Sequence, residues 1–175
     1  MFIVGTNLKE LVEEYKVVED MRDVDDTCIE LGLHNIVKKM CKTKDIDTLN
    51  YGGNIPKQCI TRKKISKNGL KIKPGETILA CSSQRIFIPQ GYMGMIQTKG
   101  SLARLFVFAQ CSDWQIDSGF KGRVTFELFN ASNFNILLKE KQKVANLYLV
   151  PVSDKNVKLY KGKYNNADEP TIQIP

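Results

Sequence analysis

Glu127 stands in the stretch RVTFELF (123–129), flanked by phenylalanines. In a strand, Val124, Phe126 and Leu128 share one face, and Thr125, Glu127 and Phe129 take the other. A carboxyl group set among aromatic rings and withdrawn from water has a raised pKa, which suits it to taking and returning a proton. A second charge sits in an apolar setting. Arg104 lies inside the run Leu102-Ala103-Arg104-Leu105-Phe106-Val107-Phe108-Ala109. Arginine is almost never fully buried without a partner, so a buried Arg104 would need an acid. Just ahead of it, Thr98-Lys99-Gly100-Ser101 joins a glycine that lets backbone approach, a hydroxyl and a lysine charge. That combination makes a phosphate cradle, although glycine turns beside a lysine are also common without one.

The scaffold for these groups reads as one domain, 1–175, since the chain has 175 residues, 42% hydrophobic and 26% charged. Thr6 is placed to cap a first helix, NLKELVEEY, in which Leu8, Leu11 and Val12 have helical spacing. Beyond it the chain reads as short strands: CIELGL (28–33), TILACSS (77–83), YMGMIQT (92–98), RVTFELF (123–129) and KVANLYLVPV (143–152) among them. Turn signals such as Asn68-Gly69, Pro74-Gly75 and Ser118-Gly119 separate them. Many short strands at near-regular spacing predict an all-β barrel or sandwich. The polar closing segment, 160–175, reads as a mobile C-terminal arm or one that orders on a ligand.

The balance of 26 Lys+Arg against 19 Asp+Glu, a net charge of +7, favours an anionic partner such as a nucleotide. Residues 57–76 carry much of that excess against a single acid, Glu76. They read either as a solvated hairpin whose lysines protect an edge or as a nucleic-acid contact. The five cysteines form no C-x-x-C pair and His34 is the only histidine, which disfavours a zinc site. The four-residue apolar opening is too short for a signal peptide, and no 18-residue apolar run exists. A reduced, cytoplasmic protein with free thiols is the expectation, with no membrane partner.

From Ile96 to Asn130 the text is IQTKGSLARLFVFAQCSDWQIDSGFKGRVTFELFN. It resembles the dCTP deaminase family of the dUTPase superfamily, whose pattern runs G-[RK]-S-S-L-[AG]-R-L, then I-D-P-G-[FW]-x-G, then L-E-x-x-N. The matches are Lys99, Ser101 to Leu105, Ile116-Asp117, Gly119-Phe120, Gly122, Glu127 and Asn130, in order and without a gap. TCIELGL (27–33), KVANLYL (143–149) and YKGKY (160–164) echo further family segments. The resemblance implies a distorted jelly-roll-like β fold assembled as a homotrimer, with active sites at subunit contacts. It also implies hydrolytic deamination of dCTP to dUTP and ammonia.

Removing the amino group of cytosine means adding water at C4 and expelling ammonia, so a group must take a proton from water and return it to the leaving amine. The chain has neither H-x-E nor C-x-x-C, the signature of zinc-activated water, so a carboxylate is expected to do this work. The family pattern puts Glu127 and Arg104 in one site, Glu127 as general base and Arg104 holding it ionised and oriented. The alternative is a structural ion pair at a subunit contact. The resemblance assigns nucleotide binding to Lys99, Gly100, Ser101, Asp113, Gln115 and Asp117, the last accepting from the deoxyribose 3′-hydroxyl or, alternatively, closing an Asx turn. Asn146 stands where the family often has a phosphate-contacting Gln. Tyr160, Lys163 and Tyr164 would close over the triphosphate or form a solvated basic terminus. Mg²⁺ is expected with the nucleotide, held by phosphate oxygens, with no protein metal site.

The chain departs from the pattern in four places, one of them a pair of residues. Gly100 replaces the first serine, Asp113-Trp114 occupy the region lining the pyrimidine pocket, Ser118 replaces the proline, and the final Gln has no clear counterpart where Ala167 falls. The first two bear on water positioning and base recognition. They leave open a dUTPase, a bifunctional dCTP deaminase and dUTP diphosphatase, and a non-catalytic nucleotide-binding member of the fold.

Overall fold

A computed structural model describes residues 1–111 and 113–173. Helix α1 (Gly5–Tyr15) buries Leu8, Leu11 and Val12, the three apolar positions at helical spacing. It starts earlier than its threonine suggests. Val4 is the N-cap residue, no side chain caps it, and Thr6 lies within the first turn. The entry is held instead by the amide of Gly5, which donates to the Asp26 carbonyl at 2.5 Å.

The strands that follow are β1 (Ile29–Gly32), β2 (Ile36–Met40), β3 (Ile60–Lys64), β4 (Leu70–Ile72), β5 (Thr77–Cys81), β6 (Ile86–Phe87) and β7 (Tyr92–Thr98). A one-turn helix, α2 (Gly100–Ala103), precedes β8 (Val107–Phe108), β9 (Gln115–Ile116), β10 (Lys121–Gly122), β11 (Thr125–Asn130), β12 (Ile136–Leu138) and β13 (Lys143–Pro151). Two larger antiparallel sheets, β1-β13-β7-β9 and β3-β2-β5-β11-β8, are joined by the pairs β10-β6 and β12-β4. Alternation along the strands gives each sheet one apolar face. Ile29, Leu31, Leu147 and Leu149 from one sheet, and Ile78, Ala80, Phe126 and Leu128 from the other, meet in a single buried cluster. Of the expected barrel or sandwich, the mainly β fold is thus built as two sheets around one core.

Two stretches fold differently from their patterns. The basic segment 57–76 is not a hairpin: β3 pairs with β2 and β4 pairs with β12, so a tight turn at Ser66–Gly69 sends its two halves into different sheets. The apolar run 102–109 is not one continuous strand; only Val107–Phe108 pair, as β8. After α2, Phe106 takes a left-handed φ of 55°, and only Leu102, Val107 and Ala109 go inside. Arg104 remains exposed with Leu105, Phe106 and Phe108, so the arginine needs no buried partner in its own chain.

The closing segment lies back along the molecule. Tyr160 N–H donates to the Ser118 carbonyl at 2.7 Å, Arg123 N–H donates to the Ala167 carbonyl at 2.8 Å, and Thr171 N–H donates to Thr125 Oγ1 at 3.0 Å. Arg62 on β3 forks onto the Glu169 carboxylate. Gly122, at φ 144°, makes this approach possible, because a Cβ there would come within 2.8 Å of the Ala167 nitrogen.

Candidate active site

Strand β11 carries Glu127 on the face opposite the core, as the alternation of Phe126 and Leu128 requires. It is half-buried and faces a cavity of about 1100 Å³. Leu79, its register partner on β5, lines the same cavity with Met40, Ile96 and Phe120. Burial in this apolar setting pushes the Glu127 carboxyl above the ordinary carboxylate range, and the nearby Asp113 charge pushes the same way. The Cys111 amide, 3.4 Å from Oε2, opposes the shift by donating to the ionised form, a larger influence than Asp113 but smaller than burial. Glu127 makes no ion pair with the described residues.

The cavity's polar rim comes from three segments. Asp113, Gln115 and Asp117 lie along one side, with Gln115 Nε2 donating to Asp117 Oδ1 at 2.5 Å. The Asp117 turn is set by the bond from Phe120 N–H to the Asp117 carbonyl at 3.1 Å, and Ser118 secures it from below. Ser118 is buried and its hydroxyl donates to the Tyr92 carbonyl, so a side-chain bond serves where the family pattern has a rigid proline. Tyr160, Lys163 and Tyr164 enter from the closing segment. The Tyr160 ring lies against Phe120 at 6.2 Å, and the Lys163 ammonium lies 5.8 Å from the centre of the Tyr164 ring. Gly119, at φ 85°, leaves room for that segment, since a Cβ would come within 2.8 Å of Leu159.

The remaining site candidates lie elsewhere, Asn146 on the outer face of the β1-β13-β7 sheet and Lys99 to Arg104 just beyond the end of β7. Glu30, Asn146 and Gln97 form one row across the three strands. Lys99 reaches back to Glu30, and that hydrogen bond raises the lysine's pKa. Asn146 Oδ1 is buried with no hydrogen-bond partner among the described residues, an unmet polar valence on this face. Gly100 opens α2, and Ser101 and Arg104 are exposed. The Arg104 side chain makes no hydrogen bond or ion pair with the described residues, and Arg104 is not among the residues lining the Glu127 cavity. A Cβ at Gly100 would meet only Arg104 Nη1, at 3.6 Å, so the fold has space for the serine of the family pattern.

Three features had no signal in the sequence. Arg123, beside the cavity, donates to the Ser82 carbonyl at 3.1 Å and to the Ser83 carbonyl, and was masked by its place at the start of an alternating strand. The polar loop 41–59 brings Leu49, Asn50, Tyr51 and Gly52 to the cavity wall from far away in the chain. Glu30 belongs with Lys99 only through strand pairing. Among the described residues, no group of three or more His, Cys, Asp or Glu is positioned to hold a metal ion.

Comparison with known proteins bears on this arrangement. The chain is 26% identical over 121 residues to a "dCTP deaminase, dUMP-forming" of Sulfurihydrogenibium, covering 69% of this chain and 67% of that protein. It is 29% identical over 155 residues to a "dCTP deaminase" of Buchnera aphidicola, covering 82% and 80%. The fold matches the crystal structure of 2′-deoxycytidine 5′-triphosphate deaminase from Agrobacterium tumefaciens with a TM-score of 0.65, at 13% identity, over 85% of this chain and 47% of that one. This chain thus spans about half the length of the Agrobacterium protein. The model of the dCTP deaminase-like family matches residues 3–152, which take in β1 through β13, the half-buried Glu127 and the Lys99–Arg104 segment, and the chain belongs to that family.

Proposed function

We propose that the protein is a hydrolase that removes the 4-amino group of dCTP, with Glu127 as general base. The observation that carries this reading is a half-buried carboxylate, with no ion-pair partner among the described residues, facing a cavity of about 1100 Å³, where burial pushes its pKa up. Water adds to C4 of the cytosine and passes a proton to Glu127. Glu127 returns it to the amine, which leaves as ammonia, so dCTP and water become dUTP and ammonia. A carboxyl with a raised pKa is the better acid–base shuttle at neutral pH because it holds the proton long enough to deliver it. Gln115 orients Asp117 toward a sugar hydroxyl, and Asp113 is placed to accept from an exocyclic amine. Tyr160, Lys163 and Tyr164 cover the ligand, and Mg²⁺ travels with the triphosphate, held mainly by phosphate oxygens and water.

Arg104 acts in this reading from a neighbouring subunit of a homotrimer. Its exposure, the lack of a side-chain partner among the described residues and its absence from the lining of the Glu127 cavity all favour delivery to a second copy's cavity. Lys99, Gly100, Ser101 and Asn146 would meet the phosphates there. A second reading has a specific support, the name "dCTP deaminase, dUMP-forming" carried by the Sulfurihydrogenibium relative. In it, Asp117 also activates a water on the α-phosphate, so that dUTP and water become dUMP and pyrophosphate.

The test is incubation with a panel of deoxy- and ribonucleotides and Mg²⁺, with ammonia, dUTP, dUMP and pyrophosphate measured separately. Ammonia with dUTP supports the first reading, and ammonia with dUMP and pyrophosphate the second. Pyrophosphate from dUTP without ammonia from dCTP would make the protein a dUTPase. No product from any nucleotide that binds would make it a non-catalytic binder.

A further inference from the structure

Cys41 and Cys59 stand at the two ends of the loop that lines the Glu127 cavity. The β2–β3 ladder pairs Ile36 with Lys64 through Met40 with Ile60, and the Cys41 amide continues it by donating to the Cys59 carbonyl at 2.9 Å. Cys41 and Cys59 therefore stand opposite each other just beyond the ends of β2 and β3, Cys59 as the last residue of a single 3-10 turn, Lys57–Cys59. The bond from Ile65 N–H to the Asn35 carbonyl, at 2.7 Å, marks the odd-numbered residues of β2 as the hydrogen-bonded pairs. Such pairs have Cα atoms about 5.5 Å apart, near the most common separation in disulfides. The second bond of the pair is absent because the Cys59 amide turns to the Pro56 carbonyl, at 2.9 Å. The ladder is thus released on one side where the sulfurs would need to adjust.

We propose that Cys41 and Cys59 are a reversible disulfide site that clamps the loop between them. Both are free thiols here; Cys41 is exposed and Cys59 is 2% exposed. This asymmetry sets the order of reaction with a low-molecular-weight disulfide as oxidant. The Cys41 thiolate attacks one sulfur of the oxidant, and one thiol leaves. The Cys59 thiolate then attacks the Cys41 sulfur of the mixed disulfide and displaces the second thiol. The two cysteine protons end on the two released thiols, and the oxidant gains the two electrons that the cysteines lose. The closed loop contains Leu49, Asn50, Tyr51, Gly52 and Ile55, all on the cavity wall, so the bond restrains one side of that cavity whatever its ligand.

The experiment uses oxidised glutathione on the full chain, followed by intact mass and peptide mapping without reductant. The expected result is a mass loss of two hydrogens, a single peptide pair joining Cys41 to Cys59, and full reversal by dithiothreitol. Closing a loop of this length should also raise the Tm by about 5–10 °C. Cys41→Ser should remove the cross-link, and Cys59→Ala should trap glutathione on Cys41, because no second thiol remains to displace it. Cys111→Ser should still form the bond. Glutathione adducts without a Cys41–Cys59 link in the parent chain, or a link that joins different cysteines, would overturn the proposal. If Cys59→Ala does not fold, the exposed Cys41→Ser variant and the parent decide the matter alone.

Discussion

The two charged regions of the molecule are built in opposite ways. The lining of the Glu127 cavity comes from distant parts of one chain. Its base, apolar walls and covering segment are all internal, and the cost of burying a carboxylate appears directly as a raised pKa. The Lys99–Arg104 region is open. Among the described residues its arginine side chain is exposed without a partner, its asparagine keeps an unmet oxygen, and its one ion pair is Lys99–Glu30. The contrast teaches where the fold spends its burial. It desolvates the group whose proton affinity must be altered. It leaves solvated the cation whose charge is permanent and which can be brought to the carboxylate by assembly.

The largest expected effect comes from the closed region. Glu127→Gln keeps the size of the side chain and cannot take a proton, so turnover should fall about 10²–10⁴-fold. Nucleotide affinity should stay near that of the parent, as titration at equilibrium would check. The stability change should run the other way. A carboxyl whose folded pKa is raised above its unfolded value binds its proton more tightly in the native state. Its contribution is most favourable at acid pH and is lost as pH rises through the folded pKa. Glu127→Gln should therefore be at least as stable as the parent at pH 7–8, and the difference should shrink as pH falls toward the ordinary carboxylate pKa of 4.5. A large loss of Tm at neutral pH would instead make Glu127 a structural ion-pair partner.

The open region should answer differently. Arg104→Ala should leave Tm unchanged, because the side chain is exposed, and lower turnover about 10²–10³-fold. Mixing this variant with Glu127→Gln and reassembling the oligomers tests the comparison most directly. If each cavity takes its arginine from a neighbour, about a quarter of the sites in a random one-to-one mixture hold both native residues, and activity returns. No recovery from assembled hetero-oligomers would put Arg104 and Glu127 in the same chain's site.

Two smaller effects separate the rims. Deleting residues 160–175 removes Tyr160, Lys163 and Tyr164 from the cavity. It should weaken triphosphate binding by more than tenfold while the β-sandwich persists, because the core cluster contains none of these residues. Unchanged affinity would assign the segment a purely structural part. Lys99→Ala should raise the triphosphate Kd about tenfold at low salt and less at high salt, as screening weakens a partly exposed charge. A salt-independent change would indicate that Lys99 acts by holding Glu30 in place.

Residue order and type alone were enough to indicate an all-β chain, the face that Glu127 occupies on β11 and the ordered motif from Lys99 to Asn130, because strand alternation and turn chemistry are local rules. The family resemblance grouped Asp113, Gln115, Asp117, Tyr160, Lys163 and Tyr164 with Lys99, Gly100, Ser101 and Asn146; the first six line one cavity and the last four do not. Only the tertiary structure could decide that the apolar run around Arg104 turns outward. That outcome depends on the left-handed turn at Phe106 and on which of its residues find room in the core. The same holds for the division of the basic segment between two sheets, for the pairing of Lys99 with Glu30 and for the arrival of loop 41–59 at the cavity wall. Each joins residues distant in sequence, and such contacts follow from how sheets pair and pack, which no local pattern encodes.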